Sequence, residues 1–174
     1  MEVSVDVGGR SLVVQVVLLV VSILMVAFFS SSEAALISAN KIRIRHLAEQ
    51  GNRGAKVVNR VLGQHEKFFA TILLTENLFI ILSSVIAERL ASQLLGDGGA
   101  SLLIATGVMT LLIVTFGEVT PKSLATQRAV GWSLIVARPI AVFMALETVV
   151  VHVFTLLPRL LSHLLGGGHP LRSQ

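Results

Sequence analysis

Three observations predict an all-α membrane protein. The 174 residues are 53% hydrophobic and only 14% charged, where a soluble domain carries about 25% charge, and the mean hydropathy is +0.82. Three apolar runs are each long enough for a helix to cross a bilayer core, which takes about 20 residues. Basic residues crowd into the segment between the first two runs, as cytoplasmic loops of membrane proteins do. The predicted architecture is a single domain over 1–174 with three transmembrane helices at about 11–38, 68–90 and 99–120. Amphipathic juxtamembrane helices are expected at about 41–66 and 130–165.

The first run goes from Leu12 to about Leu36. A secretory signal has a shorter apolar core behind a basic start, whereas Met1 to Gly9 carries Glu2 and Asp6 and no base, so a retained span is expected. The second run, Phe68 to Ala87, holds one carboxylate, Glu76. The third, Gly99 to Gly117, has no charge before Glu118, and Gly96-Asp97-Gly98-Gly99 reads as the tight turn ahead of it. A fourth apolar stretch, Ser133 to Leu157, is interrupted by Arg138-Pro139, Glu147 and His152. Pro139 is expected to break the hydrogen-bond ladder or to start a new helix. That favours a helix at the interface, or one folded back on itself, over a fourth crossing.

Lys41, Arg43, Arg45, Arg53, Lys56, Arg60 and Lys67 all precede the second span, while Arg10 and Arg89 are the bases at the opposite end. The positive-inside rule then puts the N-terminus outside and the 41–67 segment in the cytoplasm. The C-terminus is cytoplasmic too if the fourth stretch does not cross. The protein is expected in the plasma (inner) membrane as a multi-pass chain. The net charge of +4 reports orientation rather than nucleic-acid binding. Ile44, Leu47, Ala48, Val57, Val58, Val61 and Leu62 recur at helical spacing, which predicts two short helices resting on the anionic inner leaflet. Gly166-Gly167-Gly168 reads as a frayed end or a linker.

Ionisable groups at membrane depth are costly, about 2.5–3.5 kcal/mol each on the insertion scale, and mark functional or paired positions. Three places stand out. Ser30-Ser31-Ser32-Glu33 sweeps a full turn of the first span; its hydroxyls are candidate ligands, and Ala27, Ser31, Ala35 and Ala39 form a small-residue stripe that would serve helix packing equally well. Glu76-Asn77 lies within the second span, and either residue can ligate or form an interhelical hydrogen bond. In Gly117-Glu118-Val119-Thr120-Pro121-Lys122, Pro121 has no N–H, so in an α-helix the Gly117 carbonyl loses its donor beside a carboxylate. The competing explanation there is a Glu118–Lys122 pair at spacing four over a proline kink. Lys122 itself reads as an interface anchor.

These candidates are hydroxyl, amide, carboxylate and main-chain oxygens on three helices. There is no Cys, and His46, His65, His152, His163 and His169 lie outside the three clean spans. All-oxygen sites suit Mg²⁺, Ca²⁺ or sometimes Na⁺. Disulfide, thiolate and Cys-nucleophile chemistry are excluded, and no Ser-His or paired-Asp arrangement sits at membrane depth, so an enzyme is not expected. The alternatives to ion transport are a non-transporting membrane anchor or dimerisation module and, less favoured with Trp132 outside the clean spans, a small multidrug exporter.

Phe28-Phe29-Ser30-Ser31-Ser32-Glu33-Ala34-Ala35-Leu36, the basic stretch to Arg60, Leu74-Thr75-Glu76-Asn77-Leu78 and Phe116-Gly117-Glu118-Val119-Thr120-Pro121-Lys122-Ser123, in this order, resemble the transmembrane domain of the CorC/cyclin-M (CNNM) magnesium transporters. The resemblance covers roughly 12–165. It implies a homodimer of three-span subunits with a cytoplasmic helical belt, embedded in membrane lipids, exporting Mg²⁺ from the cytoplasm in exchange for Na⁺. It implies a metal site at Ser30, Ser31, Ser32, Asn77, Gly117 and Glu118; Pro121, at the kink, is the expected hinge for alternating access. The family usually has Gly-Asn-Asn where this chain has Thr75-Glu76-Asn77, and often Asn where Ile80 stands. Those departures make Glu76, with Glu33, a candidate for a sodium or structural role. Family members continue into cytoplasmic nucleotide-binding domains of the cystathionine-β-synthase (CBS) type, and nothing in this sequence has their character.

Overall fold

The computed structural model describes the backbone of residues 3–96 and 98–146 and the side chains of 11–96 and 98–146. The expectations for Asp97, for the polar breaks Glu147 and His152, for the helix beyond residue 146, for the glycine run at 166–168 and for the C-terminus lie outside those residues.

Every described element is helical: α1 Val3–Ser38, α2 Lys41–Glu49, α3 Arg53–Leu62, α4 His65–Leu95, α5 Gly99–Leu112, a π-helical turn Ile113–Val119, α6 Thr120–Gln127 and α7 Ala129–Leu146. Four stretches are long and apolar enough to cross a membrane: Ser11–Ser38, His65–Leu95, Gly99–Gln127 and Ala129–Leu146. The first three correspond to the expected spans. The third continues past residue 120, because α5, the π turn and α6 form one unbroken helical run.

The fourth differs from expectation. α7 does not break at Pro139 but carries it inside an 18-residue helix. Arg138 and Pro139 are exposed, whereas Val136, Ala137 and Ile140 on the other side are buried. A proline removes one ladder hydrogen bond and crowds the preceding turn. Here the packed residues on either side of it hold the helix in register.

The short helices are punctuated as their residues dictate. Asn40 Oδ1 accepts from the Arg43 N–H at 3.1 Å, and Asn52 Oδ1 from the Ala55 N–H at 3.0 Å, each capping a helix start. Gly51, at φ +90°, makes the turn between α2 and α3 in a backbone region that glycine tolerates best. Gly54 lets α3 approach α7 closely, since a Cβ there would lie 3.0 Å from the Leu134 carbonyl oxygen.

α1 is the central element and contacts α4, the π turn, α6 and α7. Towards the α2–α3 end, Phe29, Leu36, Ile44, Val58, Val61, Phe68, Ile72, Val136 and Ile140 share one buried core. The Phe29 ring meets Phe143 edge-on at 5.0 Å and stacks on Phe79 at 6.4 Å, tying α1 to α7 and α4. Ile44 of α2 and Ala55, Val58 and Val61 of α3 are buried in this core, with α2 packed on α3 and α3 on α7. A second cluster of Val26, Ala87, Met109 and Ile113 holds the other half of the bundle. Outside it, Val13, Val17, Leu103 and Leu111 are exposed, as apolar side chains facing lipid should be.

Candidate functional site

The three polar places meet where α1, α4 and the π turn adjoin. Glu33 lies five residues before the end of α1. Glu76 lies 11 residues into α4, about 16 Å along its axis, and Glu118 sits in the π turn. Lys122, in the first turn of α6 behind Pro121, completes the group. Its Nζ is 3.1 Å from Glu33 Oε2. Lys122, Glu33 and Glu118 all lie within electrostatic reach of Glu76, and Ser30 lies beside it. Lys122 thus reaches across to α1 instead of pairing with Glu118 at spacing four.

Ser30 is fully buried. Neither its Oγ nor Glu76 Oε1 has a geometrically satisfactory hydrogen-bond partner among the described residues, although both are shielded from solvent. Side by side, the Ser30 hydroxyl is placed to donate to the Glu76 carboxylate, which leaves the remaining lone pairs of both for a cation or ordered water. The other serines behave differently. Ser31 Oγ and Ser32 Oγ donate to the Phe28 carbonyl at 3.0 and 2.6 Å. Thr75 Oγ1 donates to the Thr71 carbonyl at 2.8 Å, and Asn77 Nδ2 to the Leu73 carbonyl at 2.7 Å. A hydroxyl whose proton is committed to its own helix presents only lone pairs elsewhere, and an amide tied through nitrogen leaves its oxygen as acceptor. The small-residue stripe also packs as its spacing predicts: Ala35 and Ala39 are buried with Ser31.

Gly117 is buried, and a Cβ on it would sit 3.1 Å from Val26 Cγ1, so this glycine brings the third span close to α1. The expected proline kink takes another form. The helix widens into seven π-helical residues ahead of Pro121, and the Thr120 N–H bonds to the Thr115 carbonyl, five residues back. Pro121, with no N–H, donates to neither the Phe116 nor the Gly117 carbonyl. Such π turns are frequent at functional sites.

Ser30, Glu33, Glu118 and Lys122 are brought within electrostatic reach of Glu76, with Gly117 next to Glu118 in the chain. Asn77 is not: it is exposed on the outer side of α4, and Ser31 faces a separate cavity between α1, α6 and α7. Among the described residues, no three of His, Cys, Asp and Glu converge closely enough to hold a metal by themselves. A cation here would take part of its shell from hydroxyl, main-chain or water oxygens. The role of Lys122 was missed because its partner, Glu33, is 89 positions away in the sequence. Also missed was a groove of about 420 Å³ between α4 and the third span, lined by Ser84, Glu88, Thr106, Thr110 and Glu118 among apolar residues. Ser84 and Glu88, one turn apart on one face of α4, were its sequence signal.

Fold and site together define a polytopic α-helical membrane protein with ionisable groups inside its bundle. Residues 17–174 match the cyclin M transmembrane N-terminal domain, and the chain belongs to that family. It is 39% identical over 113 residues to a UPF0053 protein of Haemophilus influenzae, covering 65% of this chain and 26% of the relative. It is 40% identical over 99 residues to the UPF0053 inner membrane protein YfjD of Escherichia coli, covering 57% and 23%. With YhdT of Bacillus subtilis it shares 31% identity over 139 residues, covering 73% and 30%. The matched region is thus a quarter to a third of these relatives' length.

Proposed function

We propose that this domain carries Mg²⁺ out of the cytoplasm by alternating access, in exchange for Na⁺. The observation that carries the reading is a charge count. Glu33, Glu76 and Glu118 come from three helices and one lysine joins them, so with all three carboxylates ionised the group sums to −2, the complement of a divalent cation. Holding that charge at membrane depth is unfavourable without a counter-ion. Lys122 supplies one positive charge permanently, and the cargo supplies two when it binds. Ser30 Oγ, the Glu76 and Glu118 carboxylates and the Gly117 carbonyl would replace part of the hydration shell, which Mg²⁺ sheds reluctantly. Family membership supports the cation class, and the Na⁺ coupling rests on the resemblance alone.

In this reading three helices cross the membrane, with the N-terminus outside and the α2–α3 end in the cytoplasm. α7 packs on α3, whose Arg53, Lys56 and Arg60 belong at the anionic inner face. A helix sharing its core with such a partner lies along the interface, which also keeps the C-terminus cytoplasmic. The working unit is a homodimer. Pro121 and the π turn are the hinge, since a helix already in the wider register rearranges at smaller cost than an intact ladder.

Mg²⁺ efflux from proteoliposomes tests the reading. Glu118→Gln is expected to lower the flux at least tenfold, and Asn77→Ala to reduce it only a few-fold because Asn77 lies outside the assembled group. A wild-type rate in Glu118→Gln would leave the anchor or dimerisation role in its place. Repeating the measurement without a Na⁺ gradient tests the coupling separately: an unchanged rate removes Na⁺ from the mechanism.

A further inference from the structure

The group around Glu76 explains how a cation is held but not how it leaves. The groove between α4 and the third span begins at Glu118 and runs past Thr110, Thr106 and Ser84 to Glu88. A second cavity, of about 400 Å³, shares Val85 and Glu88 with it and continues past Arg89 to Ser92 and Gln93, close to the end of α4 at Leu95. Val85 and Glu88 line both, so the two cavities together trace a track along α4 from Glu118 towards the bundle end opposite α2 and α3. We propose that this track is the exit route of the cation, with Glu88 as its outer relay carboxylate. The proposal rests on the transport reading above.

The chemistry of the lining favours a cation. Ser84 Oγ donates to the Ile80 carbonyl at 3.0 Å, and Thr110 Oγ1 to the Thr106 carbonyl at 2.8 Å. Their protons are committed to the helices, so the groove side of each hydroxyl offers lone pairs. Together with two carboxylates these hydroxyls set a line of acceptors along an otherwise apolar groove, suited to a positive ion or to water protons, with Arg89 as the base beside its outer part. The volume suffices: six waters occupy about 180 Å³ at about 30 Å³ each, within the 420 Å³ of the inner cavity. The ion could therefore regain its shell stepwise as it moves outward. Lipid is the wrong filling, because an acyl chain satisfies none of these oxygens. Glu88 lies about 10 Å before the end of α4, a depth at which a carboxylate is useful as a stepping stone between the central group and water.

The sequence has no cysteine, so single-cysteine variants of the full chain report one position each. A membrane-impermeant cationic thiosulfonate reacts only with a hydrated thiolate. Applied from the outer side of proteoliposomes, it is expected to label Ser84→Cys and Thr106→Cys at least tenfold faster than Leu111→Cys. Leu111 follows Thr110 in sequence, is exposed and does not line the groove. In the flux assay Glu88→Gln is expected to slow Mg²⁺ efflux several-fold while leaving the fold intact, because Glu88 is exposed. Labelling of Ser84→Cys no faster than of Leu111→Cys, or a wild-type flux in Glu88→Gln, overturns the route. If Glu118→Gln still abolishes transport in that case, only the route falls; if it too transports normally, the transport reading falls with it.

Discussion

The Lys122–Glu33 pair is the contact that decides how the charged group is balanced. Side chains that are 40% and 24% exposed do not carry the full energy of a buried pair, and a coupling of about 1 kcal/mol is expected. A double-mutant cycle on thermal stability with Glu33→Gln, Lys122→Met and the double variant measures it. Additive losses would mean that the pair contributes nothing. Gly117 makes a separate prediction. A methyl group there meets Val26 at 3.1 Å, so Gly117→Ala is expected to destabilise by about 1–3 kcal/mol through overpacking. Val26→Ala should restore much of the loss by making room. Ser30, Glu33, Glu76, Gly117 and Glu118 were all legible in the sequence, because polar atoms stand out in an apolar run. Lys122 was not, since its nearest acid by spacing, Glu118, lies four residues away on its own helix, and only the packing of α6 on α1 sends the ammonium elsewhere.

At the level of elements, the three longest helical runs could be read from apolar length alone, and α2 and α3 from their periodicity. What periodicity could not supply was the partner of the amphipathic faces. An apolar stripe facing a leaflet and one facing α7 look the same in sequence, and contacts such as Gly54 against the Leu134 carbonyl at 3.0 Å settle the matter for α3. Gly54→Val is therefore expected to separate α3 from α7 and to lower the thermal midpoint, whereas a surface variant such as Arg53→Gln should not. Pro139 misled for a related reason: propensity predicts a break, and the packing of Val136, Ala137 and Ile140 overrides it. Because α7 is continuous, Pro139→Ala should raise stability by roughly 1 kcal/mol through the recovered hydrogen bond. A loss of stability on thermal unfolding would instead indicate that the proline is needed for a bend.

Across the whole molecule, the bundle divides its work by end. The α2–α3 end is bases outside and a dense aromatic and aliphatic core within. The middle holds the charged group, and the far end carries the grooves beside α4. Residues that hold the fold together, such as Phe29 and Ile140, lie apart from those that would hold an ion, so the charged group can be neutralised without dismantling the core. The account's central claim is that this group is a divalent-cation site, and Mg²⁺-dependent thermal stabilisation tests it most directly. A ligand that binds only the folded state stabilises it by about 2.7 kcal/mol at one hundred times its dissociation constant. The wild-type protein should show a saturable rise in its thermal midpoint with Mg²⁺, at constant ionic strength, and Glu118→Gln should lose it. Equal stabilisation of both proteins, or of neither, would contradict the account.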